Sequence, residues 1–93
     1  KVEFIDVSAF KGCSALRSVY FPSSIQSIGS FAFQRCSSLE IVVFEEKSKL
    51  KSIGSHAFNG CNKLKNVSIP SSVTSIGEGA WPYKLHSLVS SFD

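Results

Sequence analysis

The chain has 93 residues, 43% of them apolar and only 18% charged, which is too hydrophobic for a disordered tail and the length of one small domain. Ten Lys and Arg against seven Asp and Glu leave a formal charge of +3, and neither sign forms a block, which argues against nucleic-acid binding by charge. No apolar run approaches the ~18 residues of a membrane span, and the opening KVEFID has neither the charged nor the apolar region of a signal peptide.

The chain opens on Lys1 and contains no Met, so it is expected to be a piece of a longer polypeptide. Val2 and Ile5 form the first apolar pair, then Leu16, Val19 and Phe21 alternate as in a short strand closed by Pro22. Ile25 with Ile28 predicts a second short extended stretch. Gly29 and Ser30 follow, and Ser30 stands where an N-cap would start a short helix or helical turn. Ala32, Phe33, Cys36 and Leu39 keep the three-to-four spacing of one helical face, after which Leu39, Val42 and Phe44 return to alternation. Glu45 to Lys49 replace the proline turn with two extra residues, read as a solvated charged turn with a minor binding role. Leu50 and Ile53, Gly54 and Ser55, Ala57, Phe58 and Cys61, then Leu64, Val67 and Ile69 repeat the series, with Pro70 closing the strand and Val73 and Ile76 leading on. Beyond Trp81, Pro82 stops the turn, Lys84 stands where a Cys is due, and Leu85, Leu88 and Phe92 only loosely follow the strand spacing, as in a degenerate terminal coil.

The repeat is therefore I-G-x-x-A-F-x-x-C-x-x-L-x-x-V-x-(F/I)-P-x-x-(I/V/L), with Phe10, Phe33, Phe58 and Trp81 in one column and Cys13, Cys36 and Cys61 in another. One unit cannot bury its own apolar face, but stacked units place like residues over like. The predicted fold is an α/β solenoid, short parallel strands on one face and short helical turns on the other, with about 23 residues per coil. Repeats are expected over about residues 5–27, 28–52 and 53–75, with the degenerate coil at 76–93, all within one repeat domain. Its core should hold Ile28, Phe33, Cys36, Leu39, Val42, Phe44, Ile53, Phe58, Cys61, Leu64, Val67 and Ile69. No cap is visible at the N-terminal edge, which is expected to stack on further repeats of the same chain or on another chain.

The strand segments L-x-x-V-x-F (Leu16, Val19, Phe21; Leu39, Val42, Phe44) and L-x-x-V-x-I (Leu64, Val67, Ile69) resemble those of leucine-rich repeats. The full unit over residues 2 to 81, with I-G-S-x-A-F-x-x-C-x-x-L and its P-S-S-(I/V) closure, is similar to the BspA-like, Treponema-type subfamily. That resemblance implies a surface or secreted protein that adheres to host matrix proteins and cells.

Three cysteines at such long spacings do not form the close pairs of a zinc site. Their column reads as small buried side chains, while the proximity of coils leaves one disulfide with a leftover thiol as the alternative. Unpaired thiols by themselves favour an intracellular setting, whereas the family resemblance points to the cell surface. No nucleophile with a base and no carboxylate pair converges: His56 shares a column with Ser8, Phe31 and Gly79, His86 lies in the terminal coil, and the nineteen serines suit turns. No enzyme activity, metal or cofactor is expected.

The outward strand columns are Ser18-Ile41-Asn66, Tyr20-Val43-Ser68 and Pro22-Glu45-Pro70. Tyr20, Ile41 and Val43 would make a contiguous apolar patch, expected either to anchor a protein partner or to reflect strand propensity alone. Ser18, Glu45, Asn66 and Ser68 complete the candidate face, and Asn66-Val67-Ser68 is a glycosylation sequon that would cover part of it. The expected function is a non-enzymatic, adhesin-like protein-binding module. The alternatives are spacer repeats presenting other domains and an intracellular scaffold.

Overall fold

The computed structural model describes residues 3–65 and 67–82. Six short strands follow in chain order: β1 (Phe4–Ile5), β2 (Ser18–Phe21), β3 (Ser27–Ile28), β4 (Ile41–Phe44), β5 (Ser52–Ile53) and β6 (Ser75–Ile76). They form two parallel sheets, one ordered β1-β3-β5-β6 and the other β2-β4. Register is set by the repeat: Ile5 lies beside Ile28, Ile28 beside Ile53, and Ile53 beside Ile76. In the other sheet Val19 pairs with Val42 and Phe21 with Phe44. The extended stretch expected at Ile25–Ile28 and its counterparts is thus a second sheet, formed where each coil enters its turn segment.

No helix occurs among the described residues, and the segments expected to be helical turns are built differently. In the second coil the N–H groups of Ala32, Gln34 and Cys36 close tight turns onto the carbonyls of Gly29, Phe31 and Phe33. The intervening N–H groups of Phe31, Phe33 and Arg35 cross to Ser55, Ala57 and Asn59 of the next coil at 2.7–2.9 Å. The first coil repeats the pattern toward the second, with Ser8, Phe10 and Gly12 donating to Ser30, Ala32 and Gln34. An α-helix would keep all these bonds within its own segment, and its diameter of about 10 Å would force coils apart that the strands hold about 4.8 Å apart. Consecutive turns satisfy the backbone at the narrower spacing, and the three-to-four apolar period survives because two successive turns repeat it. Ser30 and Ser55 accordingly cap no helix; their carbonyls accept from Ser8 and Phe31.

These turns require left-handed residues in register. Ser8, Phe31 and His56 have φ between 57° and 62°, and Gly79 has φ 65°. A second such column holds Gly12, Arg35 and Gly60. Gly54 answers a different demand, because a Cβ there would run into the backbone of Gly29 and Ser30 in the preceding coil.

All residues assigned to the core are buried except Phe44, which is half-buried and packs on the core from its edge. The smaller Ile69 succeeds it in the third coil, so nothing as wide as an aromatic ring lies over its outer face. Aromatic rings run through the stack: Phe10 on Phe33 at 5.1 Å, Phe33 on Phe58 at 5.2 Å, and Phe58 on Trp81 at 4.8 Å between centroids. Phe21 stacks on Phe44 and meets Phe33 edge-on, joining the second sheet to this column. Each such pair adds about 0.5–1.5 kcal/mol beyond the area it buries. The features expected at Lys84, Leu85, His86, Leu88 and Phe92 lie outside the described residues.

Candidate protein-binding face

Parallel pairing of β2 with β4 places Ser18 beside Ile41 and Tyr20 beside Val43, with all four side chains outward. Alternation along each strand is the cause: Val19, Phe21, Val42 and Phe44 turn inward, so their neighbours must turn out. Tyr20 is 68% exposed, Ile41 43% and Val43 41%, and together they form one apolar patch. Ser68 is exposed in the next coil, whereas Asn66, and with it the acceptor of the sequon, lies outside the described residues.

The inserted turn borders this patch. Lys47 adopts φ 62° and the Leu50 N–H donates to the Ser48 hydroxyl, a compact reversal that the two extra residues permit. Glu45, which occupies the proline column, is exposed, and its carboxylate accepts the Ser23 N–H of the preceding coil at 2.7 Å. A depression of about 400 Å³ is lined by Tyr20, Phe21, Pro22, Val43 and Glu45. On the other side of Glu45 a second one, of about 270 Å³, runs past Glu46, Lys47 and Ser48 to Ser68 and Pro70. The sequence marked Tyr20, Val43 and Glu45 as candidate site residues and set Pro22 in the outward column of Glu45 without including it, while Phe21, read as inward, also lines the depression. At the strand entrance Glu40 meets Lys65 at 3.8 Å in an exposed pair, worth at most about 1 kcal/mol.

The rest of the candidate chemistry is packing. Cys36 and Cys61 are buried free thiols, donating to the carbonyls of Phe10 (3.2 Å) and Phe33 (3.1 Å) in the preceding coil, and Cys13 is free and half-buried. Burial raises the thiol pKa of Cys36 and pushes that of Cys61 up to about 12, which keeps both protonated and unreactive. The His56 imidazole stacks on Phe31 at 5.3 Å and lies so close over Gly79 that a Cβ there would sit 2.8 Å from the ring. Among the described residues no cluster of His, Cys, Asp or Glu has the makings of a metal site. Nor is any helix there long and apolar enough to cross a membrane.

The first coil exposes the end of the stack. Phe4, Val7 and Phe10 are 59%, 64% and 42% exposed, while Ile5, Cys13, Leu16 and Val19 are only partly covered. A hollow of about 360 Å³ opens there between Ile5, Phe10, Leu16 and Val19.

Parallel strands stacked coil on coil, with a Leu-x-x-Val-x-Phe segment feeding an outward face, define a leucine-rich-repeat protein. The sequence model for the BspA type leucine rich repeat region (6 copies) matches residues 1–90. The chain belongs to the BspA-type leucine-rich repeat family. Among solved structures, the pneumococcal vaccine antigen PcpA matches with a TM-score of 0.78 at 29% identity over 97% of this chain and 21% of that one. A leucine-rich repeat protein from Bacteroides ovatus matches at 34% identity with a TM-score of 0.61, over 99% of this chain and 30% of that one. A leucine-rich cell surface protein from Faecalibacterium prausnitzii matches at 30% identity with a TM-score of 0.64, over 86% and 28%. The chain thus spans less than a third of the length of each of these three proteins. No curated protein matches it. The family suggests a protein-interaction module, and its solved relatives include proteins described as surface or antigen proteins.

Proposed function

We propose that this chain is a non-enzymatic, adhesin-like binding segment, displayed at the cell surface or secreted, that holds a protein partner on the outward face of β2 and β4. The observation that carries this reading is the registered apolar patch of Tyr20, Ile41 and Val43, exposed on adjacent strands whose alternate residues pack inward. Apolar patches of this kind more often mark contact sites than accidents of composition. Tyr20 supplies a large amphipathic contact, Ile41 and Val43 a flat apolar floor, and Ser18, Glu45 and Ser68 a polar rim, with Asn66 in the same column as Ile41. Host matrix and cell-surface proteins are the partners we propose, in keeping with relatives described as a vaccine antigen and a cell surface protein.

The uncovered apolar end of the first coil supports a structural role beside this one. We assign that edge to docking of further coils of the same repeat, which would cover Phe4, Phe10 and Leu16 and offer Cys13 the carbonyl that Cys36 and Cys61 each find in the coil before them. If the strand face bound nothing, the segment would be such a spacer only.

Binding of the purified chain to a panel of matrix proteins and cell surfaces, beside an Ile41→Asp/Val43→Lys variant, tests the proposal. Wild-type binding lost in a variant whose circular dichroism is unchanged is the expected result. No binding by a folded wild type would leave the spacer role.

A further inference from the structure

Resting on the strand-face reading above, we infer that the depression beside Tyr20 receives an arginine side chain from an extended segment of the partner protein. Its walls are Tyr20, Phe21, Pro22 and Val43, and the one charged group lining it is Glu45. An apolar slot ending in a carboxylate matches an amphipathic cation: the aliphatic stem lies along Val43 and Pro22, and the charged head reaches Glu45. The 68% exposed Tyr20 ring offers its face to a planar guanidinium, which stacks and forks its donors in a way that a lysine ammonium does not.

Glu45 is placed for this task. In the flanking coils its column holds Pro22 and Pro70, so only the inserted turn brings a carboxylate to the strand end. The Ser23 N–H holds one of its oxygens and leaves the other free to accept. Glu40, by contrast, already faces Lys65. Lys47 and Lys49 balance Glu45 and Glu46 over the turn as a whole, so the attraction is the local one of the Glu45 carboxylate at the edge of the depression. A wholly apolar partner residue seated here would strip water from Glu45 without replacing it, at a cost that a cation avoids. The segment is extended so that it can pass from this depression to the second one, which shares Glu45 and continues to Ser68 and Pro70 of the next coil.

The test is an NMR titration of the 93-residue chain with the peptide acetyl-Gly-Val-Arg-Val-Gly-amide and with the same peptide carrying neutral citrulline for arginine. Saturable shifts confined to Tyr20, Val43 and Glu45 are expected, with binding about fivefold weaker for citrulline and for Glu45→Gln. Glutamine keeps an acceptor for Ser23, so this variant preserves the turn, which the dispersion of its spectrum verifies. Equal binding of citrulline, shifts centred on Phe4 and Phe10, or no saturable shift would overturn the assignment. Partner capture separates the two proposals. Loss in Ile41→Asp/Val43→Lys but not in Glu45→Gln leaves the face standing and removes the arginine site, whereas retention in both variants removes both.

Discussion

Gly54 shows how closely the coils approach, since even a methyl group would overlap the backbone of Gly29 and Ser30. Gly54→Ala should cost about 1–3 kcal/mol by overpacking, lowering the denaturant midpoint without changing the slope. Gly12→Ala meets nothing within 4 Å and suffers only from its φ of 74°, so about 1 kcal/mol is expected there. The buried thiols contribute in a pH-dependent way. The pKa of Cys61 is raised by burial to about 12, so the folded state holds a proton that the unfolded chain releases from about pH 8.5. Stability from this thiol is complete below that pH and falls as pH rises toward 12. Urea titrations at pH 8 and pH 10.5 should show the lower midpoint at the higher pH, and a Cys61→Ala variant should show less of that drop.

The turn segment is the element where residue pattern and backbone diverge. Ala32, Phe33, Cys36 and Leu39 carry a helical spacing, yet the N–H groups of Ala32, Cys36 and Leu39 close tight turns and that of Phe33 crosses to Ala57 of the next coil. His56 was legible only as a position without demand, because Ser, Phe, His and Gly share no chemistry; what they share is a left-handed backbone. A β-branched residue is the one such a column excludes. His56→Val should therefore destabilise by about 1–2 kcal/mol, while His56→Asn, which tolerates that conformation, should lose only the stack on Phe31. Thermal melts of the two variants would check the order. The strands were read more directly, since alternation of Val19, Phe21, Val42 and Phe44 fixes which neighbours face out.

At the scale of the whole molecule, the array is closed by like stacking on like, and its first coil lacks that cover. Joining one more repeat of the same pattern ahead of residue 1 should raise the unfolding free energy by at least about 2 kcal/mol, by burying Phe4, Phe10 and Leu16. Equilibrium unfolding of the extended and original chains measures this; an unchanged midpoint would show that the end is already satisfied. Among the described residues the outward sheet consists of β2 and β4 alone. Only the second coil contributes Glu45, which is why a specific pocket is expected there and not along the entire face.

The family, the register and the inward columns were legible in the residues alone, because identity between units forces like residues to stack and alternation then assigns each side. Alternation also marked Tyr20, Ile41 and Val43 as outward, from their place between buried neighbours. The absence of helices from the described coils was decided by tertiary structure: a backbone N–H can serve its own segment or the neighbouring coil, and strand spacing about half a helix diameter favours the neighbour. The pocket at Glu45 was decided there too, since its walls come from two coils and its carboxylate is held across them by the Ser23 N–H, 22 residues away in the sequence.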